Sequence, residues 1–339
     1  MQNTVSKIFH KLSSKTLLIF LFIFLLTSLS AAQNIQIEKK VDSLLSKMTL
    51  KEKIGQMTQF AGVNKKYEEM IKLGEVGSFL GVKGAEKINE LQRFAVKKSR
   101  LGIPLIFGND VIHGYHTTFP IPLGAAASWN PGLVQRAAKI AAGEAALEGT
   151  KWTFAPMVDI ARDPRWGRIA EGAGEDPYLG SVMAEAGVKG FQGNNLDNDL
   201  SIAACAKHFA AYGAAEAGRD YNTVDISERT LREIYLPPFK AAVDAGVSTL
   251  MSAFNSLNGI PASANYHTLT QILRNEWGFT GFVVSDYNSI GELIYHGIAK
   301  DKKEAALKAL TAGVDMDMVG DTVTGNVYSP NLATLSLVF

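Results

Sequence analysis

Residues 281–290 read GFVVSDYNSI. Phe282-Val283-Val284 is a short apolar run between Gly281 and the polar Asn288-Ser289, the pattern of a buried strand. The run stops at Ser285-Asp286-Tyr287. Asp is a common helix N-cap, so Asp286 could simply start the next helix. It could also be a catalytic acid, because a (β/α) barrel carries its chemistry at the C-terminal ends of its strands. The ends of the other strands bear on that choice.

Helix-like and strand-like stretches alternate along the chain. MTLKEKIGQM (48–57) leads to VGSFLG (76–81), and KINELQRFAVKKSR (87–100) to IPLIFGND (103–110). PGLVQRAAKIAAGEAALEG (131–149), with Pro131 after Asn130 as a helix start, leads to WTFAPMVDI (152–160). Helical patterns at 177–193, 227–246, 267–278 and 304–313 lead to strands at 201–209, 247–255, 281–286 and 314–319. About seven such alternations predict a parallel sheet covered by helices. Short, continuous apolar strands fit burial on both faces. A closed barrel and an open doubly wound sheet both satisfy this pattern.

Polar residues at the strand ends separate the two. Asp110 ends the second strand, with His113 beyond it, and Arg162, Asp163, Arg165 and Arg168 follow the third. Lys207 and His208 close the fourth, Asn255 the fifth and Asp286 the sixth. In a barrel these ends converge on one mouth, whereas in an open sheet they spread along an edge. The expected fold is therefore a TIM-like (β/α) barrel, incomplete at its C-terminal end.

Each residue also has a plainer reading. Asp110 could cap a loop, Lys207 could be solvated, and His208 could be a satisfied core histidine. Arg168 could merely tie its loop to Glu171 or Glu175. Their joint placement is the stronger signal. Two non-helical insertions, 159–177 and 210–226, are long for a compact domain, and such loops are commonly functional.

The first 32 residues read differently. Lys7, Lys11 and Lys15 precede the apolar run at 17–30, and Ser30-Ala31-Ala32 supplies small residues for cleavage, as in a secretory signal peptide. The run is short for a membrane span of about 20 residues, so no stable membrane anchor is expected. Loss of three leader lysines takes the net charge from +1 to −2. With no basic excess, nucleic acid is not an expected partner. Cys205 is the single cysteine, so no internal disulfide can form and stability must come from core burial. Export without disulfides fits a bacterial periplasm. The expected organisation is a leader at 1–32, a barrel at 33–320, and an atypical tail at 321–339 with no second α/β domain.

GNDVIHG (108–114), APMVDIARDPRWGRIAEGAGEDPYL (155–179), KHFAAYG (207–213), YNTVDIS (221–227), MSAFNSLNGIPA (251–262) and SDYNSI (285–290) occur in this order. Together they resemble glycoside hydrolase family 3, and most closely its bacterial periplasmic β-glucosidases, over about residues 38–318. The resemblance implies that Asp286 is the nucleophile of a retaining mechanism on terminal β-D-glucosyl residues. It implies that Asp110 grips hydroxyls at the far side of the sugar and that Arg168, Lys207 and His208 are further sugar contacts. Arg162 is the second choice to Arg168, Met251 lies near the sugar, and Tyr287 is a possible wall for the next sugar unit. Phe254 stands where many members have Tyr, and Ala173 where the loop usually carries Phe, which would leave a gap.

Retaining hydrolysis needs a second carboxyl group about 5 Å from the first. In two-domain members of the family it is a Glu of a second domain, expected here to be absent, with activity impaired as a result. The loop KHFAAYGAAEAGRDYN lacks the second His that single-domain members use. Glu216, Asp220, Glu171 and Glu175 remain as acids that could approach the mouth. Two rival functions are a non-catalytic glucoside-binding barrel and a Schiff-base aldolase using Lys207. No metal and no organic cofactor is expected, since the chain shows no Cys/His ligand spacing and no phosphate-binding Gly loop.

Overall fold

The computed structural model describes residues 36–63, 65–319 and 327–328. The expected leader and nearly all of the expected tail lie outside the described residues. In the N-terminal unit, residues 36–45 are helical. The second unit, from Leu50 onward, is the barrel.

Ten strands follow in order: β1 Thr58–Ala61, β2 Ser78–Leu80, β3 Ile106–Asn109, β4 Trp152–Thr153, β5 Cys205–Phe209, β6 Thr249–Ser252, β7 Ser256–Leu257, β8 Ile260–Pro261, β9 Phe282–Ser285 and β10 Asp317–Met318. β7 and β8 form a small antiparallel hairpin, and the other eight strands are parallel. One arc runs β10-β1-β2-β3-β4 and the other β5-β6-β9. Parallel bridges Trp152↔Ala203 and Met157↔Lys207 join β4 to β5, and Val284↔Met316 joins β9 to β10. The eight strands thus close into a TIM-like barrel. Helices follow the first seven of them.

Most helices start where the sequence predicts. Asn130 caps Pro131–Leu147 by accepting from the Leu133 N–H, and Asp176 caps Pro177–Gln192 in the same way through Leu179. The helix predicted over 227–246 is instead interrupted: a π-type turn, Leu231–Tyr235, precedes Pro237–Asp244. Pro237 and Pro238 lack the N–H groups a continuous helix needs. β1 was not predicted: Thr58–Ala61 is four residues long and directly follows the helix Leu50–Gln56. The strand predicted over 152–160 is regular only at Trp152–Thr153, because Pro156 has no N–H for the ladder.

The interior of the barrel holds Trp152, Phe154, Cys205, Met251, Val284, Met316 and Met318. The Trp152 indole N–H donates to Thr249 Oγ1 at 2.8 Å, so this buried polar edge is satisfied. A larger apolar layer lies between strands and helices and includes Phe209, Leu250 and Val283 of the strands and Phe239, Leu269 and Ala305 of the helices. At Gly281 any side chain would meet the Ser248 carbonyl oxygen at 2.1 Å, so only glycine lets β9 enter the barrel here. Among the described residues no helix is long and apolar enough to cross a membrane.

Candidate active site

The polar residues of the strand ends meet at one mouth. Asp110 follows β3 directly, Lys207 and His208 lie in β5, Met251 in β6, and Asp286 follows β9. With Arg168, Glu171 and Tyr287 they line a cavity of about 290 Å³. That is the small end of the range for ligand pockets, roughly 300–1,000 Å³.

Lys207 and His208 both line this cavity although they are consecutive in a strand. Regular strands turn successive side chains to opposite faces. Here the pairing of β5 with β6 shifts register between Lys207 and Phe209. Such an irregularity re-aims a side chain, and it brings the ammonium and the imidazole to the same mouth.

The first insertion lines the site and is tied to the second. In the first, Arg168 sits in the short 3₁₀ turn Gly167–Glu171 and donates to both Glu171 oxygens at 2.7 and 3.0 Å. Its guanidinium also lies 5.5 Å from the centre of the Tyr212 ring. The Trp166 indole donates to Asp220 Oδ1 at 2.8 Å and so pins the first insertion to the second. The Arg162 N–H donates to the Gly213 carbonyl at 2.9 Å, and a Cβ on Gly213 would lie 2.2 Å from the Ile160 oxygen. Of the two arginines considered, Arg168 lines the cavity, while Arg162 is exposed and acts on Tyr235.

Cations and acids alternate around the cavity. Lys207 Nζ donates to Asp110 Oδ1 at 2.8 Å, with the lysine buried and the acid half-exposed. Burial works against the Arg168 charge, but the Glu171 pairing outweighs it and holds the guanidinium pKa above its usual range. Such alternation of donors and acceptors suits a polyol, whose hydroxyls both donate and accept.

Asp286 is nearly buried, and its Oδ1 accepts from the Tyr287 N–H at 2.7 Å. Burial pushes its pKa up to about 6; the Lys207 charge, the Tyr287 N–H and the Arg168 charge pull the other way. Nearby cations lower a carboxylate pKa. Here desolvation wins, because taking a carboxylate out of water costs more than Lys207 and Arg168 return. The acid remains ionised above about pH 6.

Behind Asp286 lie two groups in series. His208 Nε2 is 3.3 Å from Asp286 Oδ2, and His208 Nδ1 is 2.8 Å from Asp159 Oδ2. The first pair is off line for a hydrogen bond, and neither atom has another partner. Burial raises the Asp159 pKa to about 7 and lowers that of His208 well below its ordinary value. Asp159 escaped the sequence reading although it closes an apolar stretch, WTFAPMVD (152–159), as Asp286 does.

The other acids fall in different places. Glu171 lines the cavity but is engaged by Arg168, Asp220 is engaged by Trp166, and Glu216 and Glu175 are exposed. Glu292, in the turn Gly291–Leu293, is half-buried, and burial together with the Asp286 charge raises its pKa to about 7. Asn255 and Phe254 are buried away from the cavity lining, and Phe254 packs 4.4 Å from the Tyr221 ring. Among the described residues no group of His, Cys, Asp and Glu is placed to hold a metal ion.

The chain is similar to known proteins. Residues 49–335 match the model of the glycosyl hydrolase family 3 N-terminal domain. The chain is 48% identical over 285 residues to the periplasmic beta-glucosidase of Salmonella typhimurium, covering 83% of this chain and 37% of that protein. It is 38% identical over 315 residues to a putative beta-xylosidase of Formosa agariphila, covering 85% and 42% of the two chains. The crystal structure of beta-glucosidase from Listeria innocua in complex with glucose superposes with a TM-score of 0.81 at 43% identity, covering 88% of this chain and 43% of that one. The chain spans less than half the length of these relatives.

Proposed function

Because this chain belongs to glycosyl hydrolase family 3, we propose that its barrel bears the nucleophile and the sugar-binding cavity of a retaining β-glucosidase. The observation that carries this is a nearly buried carboxylate, Asp286, in a small cavity with two cations within Coulombic reach. Asp286 attacks the anomeric carbon as the bond to the leaving oxygen breaks, and that oxygen departs with the electron pair. The product is a glycosyl ester on Asp286, which water then hydrolyses. Asp110, Lys207 and Arg168 hold the hydroxyls of the terminal glucose, His208 and Met251 complete the wall, and Tyr287, half-exposed, faces the next unit. The sugar is glucose in preference to xylose, in line with the more similar of the two curated relatives. Export to the periplasm by the leader at 1–32 belongs to the same proposal.

The test is a 2-deoxy-2-fluoroglucoside with a dinitrophenyl leaving group. Such a leaving group needs no proton donor, so the barrel alone is examined. One fluoroglucosyl unit should add to the chain, on the peptide holding Asp286, and none to Asp286→Ala. A folded wild-type chain that takes up no label rejects the proposal. If glucose still binds, the non-catalytic sugar-binding reading replaces it.

A further inference from the structure

We propose that Asp159 is a positioning residue for the nucleophile: it fixes the His208 imidazole so that a bare Nε2 is turned onto Asp286 Oδ2. The proposal rests on the reading of Asp286 as nucleophile. Asp159 Oδ2 accepts the His208 backbone N–H at 2.9 Å and faces ring Nδ1 at 2.8 Å. Both side chains are shut off from solvent. A bare Nδ1 at that distance would set two lone pairs against each other in a site shut off from solvent. Above about pH 7, where Asp159 is ionised, Nδ1 must therefore carry a proton, and in the neutral ring that leaves Nε2 as an acceptor.

Nε2 then faces a carboxylate oxygen at 3.3 Å, and neither atom has a hydrogen-bond partner. Two acceptors in a buried contact repel. Relief comes when Asp286 gives up its charge, by taking up a proton or in forming the glycosyl bond. Asp159 thus makes the free, ionised nucleophile less comfortable than its glycosylated form. It also makes the cluster hold a proton more tightly. The other groups facing His208 are Arg168 from the turn Gly167–Glu171, Lys207 on its own strand, and the Tyr212 ring 5.2 Å away. The two cations oppose protonation of the imidazole, which favours the neutral ring.

Two measurements test this on the full chain. Asp159→Asn can offer its amide oxygen to the same two N–H groups while removing the charge. The acid limb of the fluoroglucosyl labelling rate should then move down by about one pH unit. A folded variant whose acid limb stays in place overturns the proposal, because a merely structural Asp159 would change stability alone. The second measurement is the ¹⁵N spectrum of histidine-labelled wild type at pH 8, with the His208 signals identified by their loss in His208→Gln. A protonated Nδ1 with a bare Nε2 supports the proposal, and a protonated Nε2 overturns it. This measurement uses neither the fluoroglucoside nor the Asp159 variant, so it still decides if Asp159→Asn does not fold. A wild-type chain that resists the fluoroglucoside instead rejects the nucleophile reading.

Discussion

Two cavities lie side by side in this barrel, with Ile112 and Glu171 in the walls of both. The larger, about 510 Å³, is bounded by Phe119, Ala137, Ala141, Ala173 and Met183, mostly from helices on the outside of the barrel. The smaller, about 290 Å³, is bounded by Asp110, Arg168, Glu171, Lys207, His208 and Asp286. Volume therefore does not mark the site. Converging charged groups mark it, since an apolar recess can hold a ligand but cannot orient its hydroxyls. The larger cavity has a simpler origin: small side chains pack against small ones, and Ala173 stands at its wall where the family resemblance implies Phe.

Substitutions can break or sharpen this contrast. The largest effect on stability is expected at Asp286. Its pKa rises from 3.8 to about 6 on folding, so the folded state holds the proton more tightly than the unfolded one. Stability from this group is present below about pH 4 and is lost as pH rises through 6. The ionised acid thus costs roughly 3 kcal/mol at pH 7. Asp286→Asn should accordingly raise the midpoint of urea unfolding at pH 7, and the gain should vanish at pH 3. An equal gain at both values would mean that Asp286 is not held against its ionisation.

The next effect concerns grip. Lys207→Met removes a charged donor from the smaller cavity while leaving Asp110 free to be hydrated. Binding of a glucose-configured inhibitor, followed by calorimetry, should weaken about ten- to a hundredfold. A smaller change would place the sugar elsewhere. The smallest effect belongs to the larger cavity. Ala137→Leu fills part of it and should stabilise the fold by about 1 kcal/mol in urea unfolding, with the labelling rate within about twofold of wild type. A marked loss of labelling would show that the two cavities work as one.

Much of this was legible in the chain. The apolar run ending on Asp286 gave the strand and its acid, and the same pattern at Asp110 and at Lys207-His208 gave the convergence. Seven of the eight barrel strands follow from apolar runs between helical patterns. β1 did not, because four residues after a helix carry too little periodicity to read. Asp159 was missed for a different reason. Nothing local distinguishes an acid buried beneath a histidine from one that caps a loop.

The sequence by itself determined the alternation of strands and helices, the polar ends of the strands, and the family to which they point. These are local properties, set by side-chain type and spacing along a few residues. Only the tertiary structure decided which polar groups meet. Lys207 reaches Asp110 across 97 residues, and Asp159 reaches His208 across 49. It also decided their protonation. Whether Asp286 titrates near 4 or near 6 depends on how much water the fold removes and which charges it leaves nearby, and both are fixed only when the barrel closes.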